Sequence, residues 1–220
     1  MKSLEAQKFI EYYKQKKVTG TYDAQREGTS YRRRKRKIEL QYFLELIDKK
    51  ENEKVLELGC SSGFLTEHLG KVTAIDTSED MLTITRKKNP LAECIHADMF
   101  ELPFKNNSFD KVVTMRVWNH LDRNDLIKAI KEVKRVLKNK GYLIFDAEDK
   151  SWLRRFIGII YKFIFRPTGY KIYQYSMREL YNILKNEGFI IEKVKFIQHR
   201  IGRQIILKNK LIENRILLIA

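Results

Sequence analysis

The residues most able to do chemistry lie in Val55-Leu56-Glu57-Leu58-Gly59-Cys60-Ser61-Ser62-Gly63-Phe64-Leu65. An apolar run enters a turn bracketed by two glycines, and a helical pattern follows. Strand, tight turn and helix in that order let a ligand approach the backbone and set helix N–H groups against its anionic part. A dinucleotide-binding turn would need glycines at G-x-G-x-x-G. Counted from Gly59, those positions hold Gly59, Ser61 and Phe64, and a phenylalanine packs poorly past a pyrophosphate. Gly59-Cys60-Ser61-Ser62-Gly63 also fits G-x-S-x-G, the turn that presents a hydrolase nucleophile. Ser61 would be that nucleophile, with Asp146 and His199 in the required chain order, but residues 1–53 read as helical and hold no oxyanion loop. Asp76 closes the next strand-like run, where a carboxylate can accept hydrogen bonds from both hydroxyls of a ribose. Helix capping is its plainer use, and Thr77 or Ser78 already supplies that.

Positioning these groups takes a regular frame. Val55–Leu58, Val72–Ile75, Glu93–His96, Lys111–Met115 and Tyr142–Phe145 are short strand-like runs separated by helical stretches. The clearest helix is Asp125–Leu137: Leu126, Ile130, Val133 and Leu137 share one side, and Lys128, Lys131, Lys134 and Arg135 the other. Strands alternating with helices of this length predict βαβ units around a parallel sheet. Before them, helices are expected over Leu4–Lys17 and Tyr31–Asp48, the second turning Ile38, Tyr42, Leu46 and Ile47 inward. After residue 146 the alternation lapses. Ser176 and Glu179 form a capping box for a helix that stops at Gly188, and Phe189–Phe196 and Arg215–Ala220 read as the last strands.

Composition narrows the class. The 220 residues are 43% apolar and 33% charged, with three prolines and ten glycines, which excludes a disordered or collagen-like chain. Cys60 and Cys94 cannot build a disulfide framework, so a reducing compartment is expected. His68, His96 and His199 show no metal-ligand spacing with one another or with the cysteines, and no metal site is expected. Without a signal-peptide core or an apolar run of about 18 residues, a soluble cytoplasmic protein is expected. The net charge of +16 is uneven: residues 1–50 carry 14 basic and 7 acidic side chains, 51–150 carry 16 and 17, and 151–220 carry 14 and 4. An anionic partner would meet the flanks.

Five signatures in order give residues 54–146 a resemblance to the class I S-adenosylmethionine-dependent methyltransferases, in their type 11 branch. Glu57–Gly63 resembles [DE]-x-G-x-G-x-G with Ser61 at the middle glycine, and Ile75-Asp76-Thr77-Ser78-Glu79-Asp80-Met81-Leu82 resembles the second-strand signature. Ala97-Asp98-Met99, Leu102-Pro103-Phe104 with Ser108-Phe109-Asp110, and Val117-Trp118-Asn119-His120-Leu121 with Glu132–Gly141 complete the set. The resemblance implies a Rossmann-like α/β sheet of seven mostly parallel strands, the last antiparallel, under an N-terminal helical cap. It implies one domain over 1–220: cap 1–50, cofactor-binding core 51–150, lid insertion 151–175, and C-terminal helix and strand pair 176–220.

The implied cofactor is S-adenosyl-L-methionine, leaving as S-adenosyl-L-homocysteine. By the resemblance Gly59, Cys60, Ser61 and Gly63 lie against its methionine portion, and Glu57 orders its amino group or the turn's N–H groups. Asp76 and Thr77 meet the ribose, Asp98 and Met99 frame the adenine, and Met81 is either core or ribose-side packing. Tyr22-Asp23 resembles a step near the cofactor, and Met115 and Arg116 end a strand beside the methyl group. His120 could orient a nucleophile or accept its proton, and a packed helper is its alternative. Tyr12, Tyr13, Arg116, His120 and Trp152 are the candidate acceptor-binding residues.

The flanks leave the partner open. A small molecule, apolar, anionic or lipid-like, is the first reading of the acceptor. Arg32–Lys37 would suit the phosphates of RNA, or form a solvated helix face. A nucleic-acid-binding module without catalysis is the non-enzymatic alternative. Trp152–Arg166 would be a lid over an apolar acceptor, a helix on an anionic membrane surface, or a buried dimer contact, so both a monomer and a homodimer are compatible.

Overall fold

Short β-branched runs that are apolar on both faces build the centre of the sheet, and in a computed structural model of the chain they align as parallel strands. That structure describes residues 3–14, 21, 23–24, 27–149, 172–199 and 202–211. The strands are β1 (Val55–Leu58), β2 (Thr73–Asp76), β3 (Glu93–His96), β4 (Phe109–Thr114), β5 (Leu137–Asp149), β6 (Gln174–Tyr175), β7 (Phe189–His199) and β8 (Gly202–Leu211). Their order is β3-β2-β1-β4-β5-β8-β7, with β6 paired to the far end of β5. β1 to β5 run parallel, and β8 is antiparallel to both β5 and β7.

The sheet has eight strands rather than seven, because Gln174–Tyr175 extends β5 at Glu148 and Asp149. The last described strand is Gly202–Leu211, whose apolar Ile205 and Leu207 face one core and Ile206 the other. The expected strand Arg215–Ala220 lies outside the described residues, as do residues 15–17 of the first expected helix and residues 151–171 of the expected lid. β5 starts at Leu137, five residues before the expected Tyr142. Gly141 allows this early start, since a Cβ there would come within 2.8 Å of the Lys138 carbonyl and 2.9 Å of the Asp110 carbonyl.

Helices cover both faces. α1 is Leu4–Lys14, α2 Ser30–Ile47, α3 Glu79–Lys88, α4 Arg123–Val136 and α5 Met177–Asn186. Leu126, Ile130 and Val133 of α4 and Leu180 and Ile183 of α5 pack with Leu56, Val112, Leu143 and Ile205. Phe43, Leu46 and Ile47 of α2 cover the other face over Val55, Val113, Ile144 and Ile206. α2 buries Arg36, Glu39 and Phe43 with Leu46 and Ile47, while the expected inward residues Ile38 and Tyr42 are only half-buried. The helix is rotated because two of its charged residues have partners beneath it, described below. The direction in which the chain adds strands reverses between β1 and β4, and at such a switch point a crevice opens beyond the carboxyl ends of the strands.

The Ser176 capping box forms: the Ser176 hydroxyl accepts from the Glu179 N–H at 3.2 Å, and the Glu179 carboxylate accepts from the Ser176 N–H at 2.8 Å. Ser176→Ala is expected to cost about 1 kcal/mol, read as a lower midpoint in urea with an unchanged slope.

Candidate active site

The turn after β1 needs backbone that side chains disfavour. Gly59, Ser61 and Gly63 have φ of 66°, 51° and 78°. A Cβ on Gly59 would lie 2.6 Å from Val117 Cγ2, so the segment after β4 packs directly on the turn. A Cβ on Gly63 would lie 3.0 Å from Thr85 of α3. Ser61 holds its left-handed conformation without being glycine because both its backbone groups are bonded. Its N–H donates to Asp76 Oδ2 at 2.8 Å, and its carbonyl accepts from Thr85 Oγ1 at 2.7 Å. The Ser61 hydroxyl donates to Met81 Sδ at 3.7 Å. Asp146 Oδ1 accepts from the Arg116 N–H and Oδ2 from Gln204 Nε2, both at 2.6 Å. Among the described side chains Ser61 is not paired with a base, and Asp146 is committed to Arg116 and Gln204; the side chain of His199 lies outside the described residues.

Beyond the strand ends lies a cleft of about 680 Å³, counted to its open mouth and within the range of small-molecule sites. Gly59 and Ser61 form its floor, Asp76, Thr77 and Met81 one wall, and Ala97, Asp98 and Met99 another. Met115, Arg116 and Val117 close the side toward β4, and Ile10 of α1 reaches over from the cap. A second cavity of about 400 Å³ shares Gly59, Ser61, Met115 and Arg116 and adds Glu57 and Cys60. Gly63 lines neither and serves the packing of the turn. Tyr22 and Trp152 lie outside the described residues, as does the side chain of Tyr13. Tyr12 is half-buried on α1 but lines neither cavity, where Ile10 takes its place. His120 is 4% exposed on the short 3-10 turn Trp118–His120 and also lines neither. Tyr173 N–H to the Asn119 carbonyl at 2.7 Å and Tyr175 OH to the Leu121 carbonyl at 2.7 Å clamp that turn.

The carboxylates here are set by burial. Asp76 accepts from Ser61 and, at 2.9 Å, from the Ser78 N–H; burial raises its pKa, and the backbone bonds to Ser61, Ser78 and Thr77 oppose the rise. Each oxygen has a further lone pair for a ligand hydroxyl. Glu57 is 2% exposed, and burial pushes it up to about 8 although Thr66 Oγ1 donates to it at 2.7 Å. Burial also pushes Asp146 up to about 6, with the Glu39 charge adding and Arg116 subtracting. Arg116, at φ 59°, pairs through its guanidinium with the buried Glu39 of α2. Asp98 Oδ1 accepts from the Phe100 N–H at 3.0 Å, and Cys60 is buried with its thiol pushed up by burial. Among the described residues no group of three or more His, Cys, Asp or Glu is placed to hold a metal, and both cysteines are free.

Residues that sequence reasoning missed sit in the cap. Arg36, inside the run Arg32–Lys37, is 6% exposed. It pairs with Glu27 at 3.0 Å and Asp23 at 3.3 Å, and stacks 3.7 Å over the Phe64 ring of the turn. Asp23 also accepts from Ser62 Oγ and Lys88 Nζ, each at 2.8 Å; burial would raise it, but these bonds with the Lys88 and Arg36 charges hold it low. The spacing of Arg36, Glu39 and Phe43 on one helical face was the available signal.

Glu57, Asp76 and Asp146 all hold their protons more tightly folded than unfolded, so each contributes stability that declines as pH rises from the ordinary carboxylate range. The decline runs to about 6 for Asp146 and to about 8 for Glu57. Asp23, Asp110, Asp125 and Glu132 are lowered and act oppositely, at more acid pH. The ligand-free protein is therefore expected to melt at a lower temperature at about pH 8.5 than at about pH 5, and Glu57→Gln to flatten the part of that slope above about pH 6.

The comparisons with known proteins agree with this geometry. The family described as "Methyltransferase domain" matches residues 56–145. An uncharacterized protein of Methanocaldococcus jannaschii is 32% identical over 66% of this chain and 65% of its own length. A demethylmenaquinone methyltransferase of Thermotoga maritima is 35% identical over 54% of each chain. The chain thus spans less than two thirds of the length of these curated relatives. Magnesium protoporphyrin IX methyltransferase from Synechocystis PCC 6803, solved with bound S-adenosylhomocysteine (SAH), superposes with a TM-score of 0.76 at 18% identity, covering 92% of this chain and 98% of that one. The [4+2]-cyclase SpnF gives 0.74 at 16% identity, covering 97% and 99%. At these identities the structural likeness establishes the fold alone, since one fold hosts several chemistries. Residues 56–145 thus match a methyltransferase domain of the type 11 branch, and the fold around them is that of the class I S-adenosylmethionine-dependent methyltransferases.

Proposed function

We propose that this protein transfers a methyl group from S-adenosylmethionine to a small-molecule acceptor by direct displacement. The observation that carries the reading is the cleft in which Gly59, Asp76 and Asp98 come together at the carboxyl ends of β1, β2 and β3. The donor set fits the cofactor: Asp76 and Thr77 accept ribose hydroxyls, and Asp98 accepts from the adenine amine while Met99 lies along its ring. The cofactor supplies an activated methyl group on a sulfonium. What remains for the chain is to orient the acceptor in line and exclude water, and positioning alone supplies a large acceleration.

The acceptor enters beside Ile10, Met115 and Arg116, a wall with two apolar side chains and a guanidinium already balanced by the buried Glu39, which suits an apolar molecule. Two of the similar proteins carry names that point to small molecules, demethylmenaquinone and magnesium protoporphyrin IX. His120, buried and lining neither cavity, is not assigned the acceptor's proton. RNA is the weaker reading, because Arg36 and Lys35 of the basic run are already paired with acids inside the fold.

Calorimetry with SAH tests the site. Asp76→Ala is expected to weaken binding by about 30-fold or more, with Asp76→Asn between it and wild type. Wild-type protein that does not bind SAH would overturn the reading. For the acceptor, incubation of the enzyme with methyl-labelled cofactor and a cell extract is expected to label the organic-soluble fraction; label in RNA would reverse the choice of substrate.

A further inference from the structure

The cations of α2 divide between its two sides. Arg36 turns inward with Glu39 and Phe43, whereas Arg32, Arg33, Arg34 and Lys37 are exposed. Helical spacing sets Arg34 opposite the buried side, with Tyr31 and Lys37 three residues before and after it. Arg34 and Lys37 make no ion pair among the described residues, and Arg33 donates to the Glu27 carbonyl at 2.7 Å rather than to an acid. Like charges three and four residues apart on a helix repel, and α2 has no acid in its first turn to offset them.

This positive stripe lies at the end of the sheet where the cleft opens. Arg36, in the same turns, stacks 3.7 Å over Phe64 of the turn after β1. The other end of α2 reaches the start of β4, where the Asp48 carbonyl accepts from Lys111 Nζ at 2.9 Å. Toward that far end α2 exposes Gln41 and Glu45 instead of cations. Apolar and amphipathic groups are exposed at the cleft end as well. Tyr31 is 54% exposed, and so, at 66%, is Leu4 of α1, the helix that carries Ile10 into the cleft. Ser3 fixes Leu4 at this end, because its N–H donates to Asp125 Oδ2 in the first turn of α4 at 3.1 Å.

We propose that this end of the cap docks on an anionic lipid bilayer, from which an apolar acceptor passes into the cleft. Arg34 and Lys37 meet headgroup phosphates, and Tyr31 and Leu4 bury apolar surface at the headgroup boundary. The contact is peripheral, since no helix among the described residues is long and apolar enough to cross a membrane. Delivery of the acceptor rests on the function proposed above; the docking face does not. RNA fits less well, because single strands are held along grooves and this is one short convex stripe.

Flotation with vesicles of equal parts phosphatidylcholine and phosphatidylglycerol, or of phosphatidylcholine alone, tests the face. Wild-type protein is expected to bind the anionic vesicles alone, less tightly as salt rises. Arg34→Glu with Lys37→Glu is expected to weaken that binding about 20-fold or more while changing SAH affinity by less than about threefold, which also certifies the fold. Lys131→Glu with Lys185→Glu makes the same charge change on exposed positions of α4 and α5, across the sheet. That pair is expected to change vesicle binding by less than about threefold. Equal losses in the two double variants, or no loss in the first, would overturn the proposal. So would wild-type protein that leaves anionic vesicles free and binds single-stranded RNA through Arg34 and Lys37. Wild-type protein that binds the vesicles but not SAH would support the docking face and overturn the methyl-donor reading.

Discussion

Everything at this site depends on one carboxylate holding one strained turn. Asp76 at the end of β2 accepts from the Ser61 N–H of the β1 turn and from the Ser78 N–H at the start of α3. Those bonds fix the left-handed Ser61 and set the entry of α3, while Asp76 still lines the cleft. The cost is a buried acid whose pKa is raised and a serine where glycine would be unstrained. Thr85 from α3 and Val117 from the segment after β4 pack on the same turn, so three elements converge on it. A site built this way is preorganised by the sheet itself.

The second constraint is charge. A net +16 suggests a surface waiting for an anion, yet several of the basic side chains are held by acids within the fold. Arg36 lies beneath α2, Lys35 and Arg116 share Glu39, and Lys111 donates to Glu53 and to the Asp48 carbonyl. Pairs with a buried member limit how such a segment can move, because leaving one partner behind strands a desolvated charge. The rotation of α2 away from its apolar pattern follows: Arg36 and Glu39 turn inward to meet acids and a guanidinium, and Ile38 and Tyr42 give up full burial.

Much of the core was legible in advance, for physical reasons that also explain the gaps. Strands β1 to β4 are short runs set between helical stretches, and α4 has a strong helical period, so the alternation located them. The Ser176 capping box and the turn residues Gly59, Ser61 and Asp76 were legible because their roles depend on local geometry. The long β5 was not, because Lys138, Asn139 and Lys140 look like a loop until Gly141 permits close approach to β4. Arg36 was hidden for the opposite reason: in a basic run its own charge masks the helical spacing that places it on the buried face with Glu39 and Phe43. Tyr12 and His120, expected at the acceptor, line neither of the two cavities.

Amide hydrogen exchange of the Ser61 and Ser78 N–H groups, followed with and without SAH, tests the central claim most directly. The account predicts that both are already protected in the ligand-free protein by Asp76, and that ligand adds protection at residues 59–63, 76–81 and 97–99 together. Rapid exchange of both amides without ligand, or ligand protection appearing elsewhere in the sheet, would contradict it.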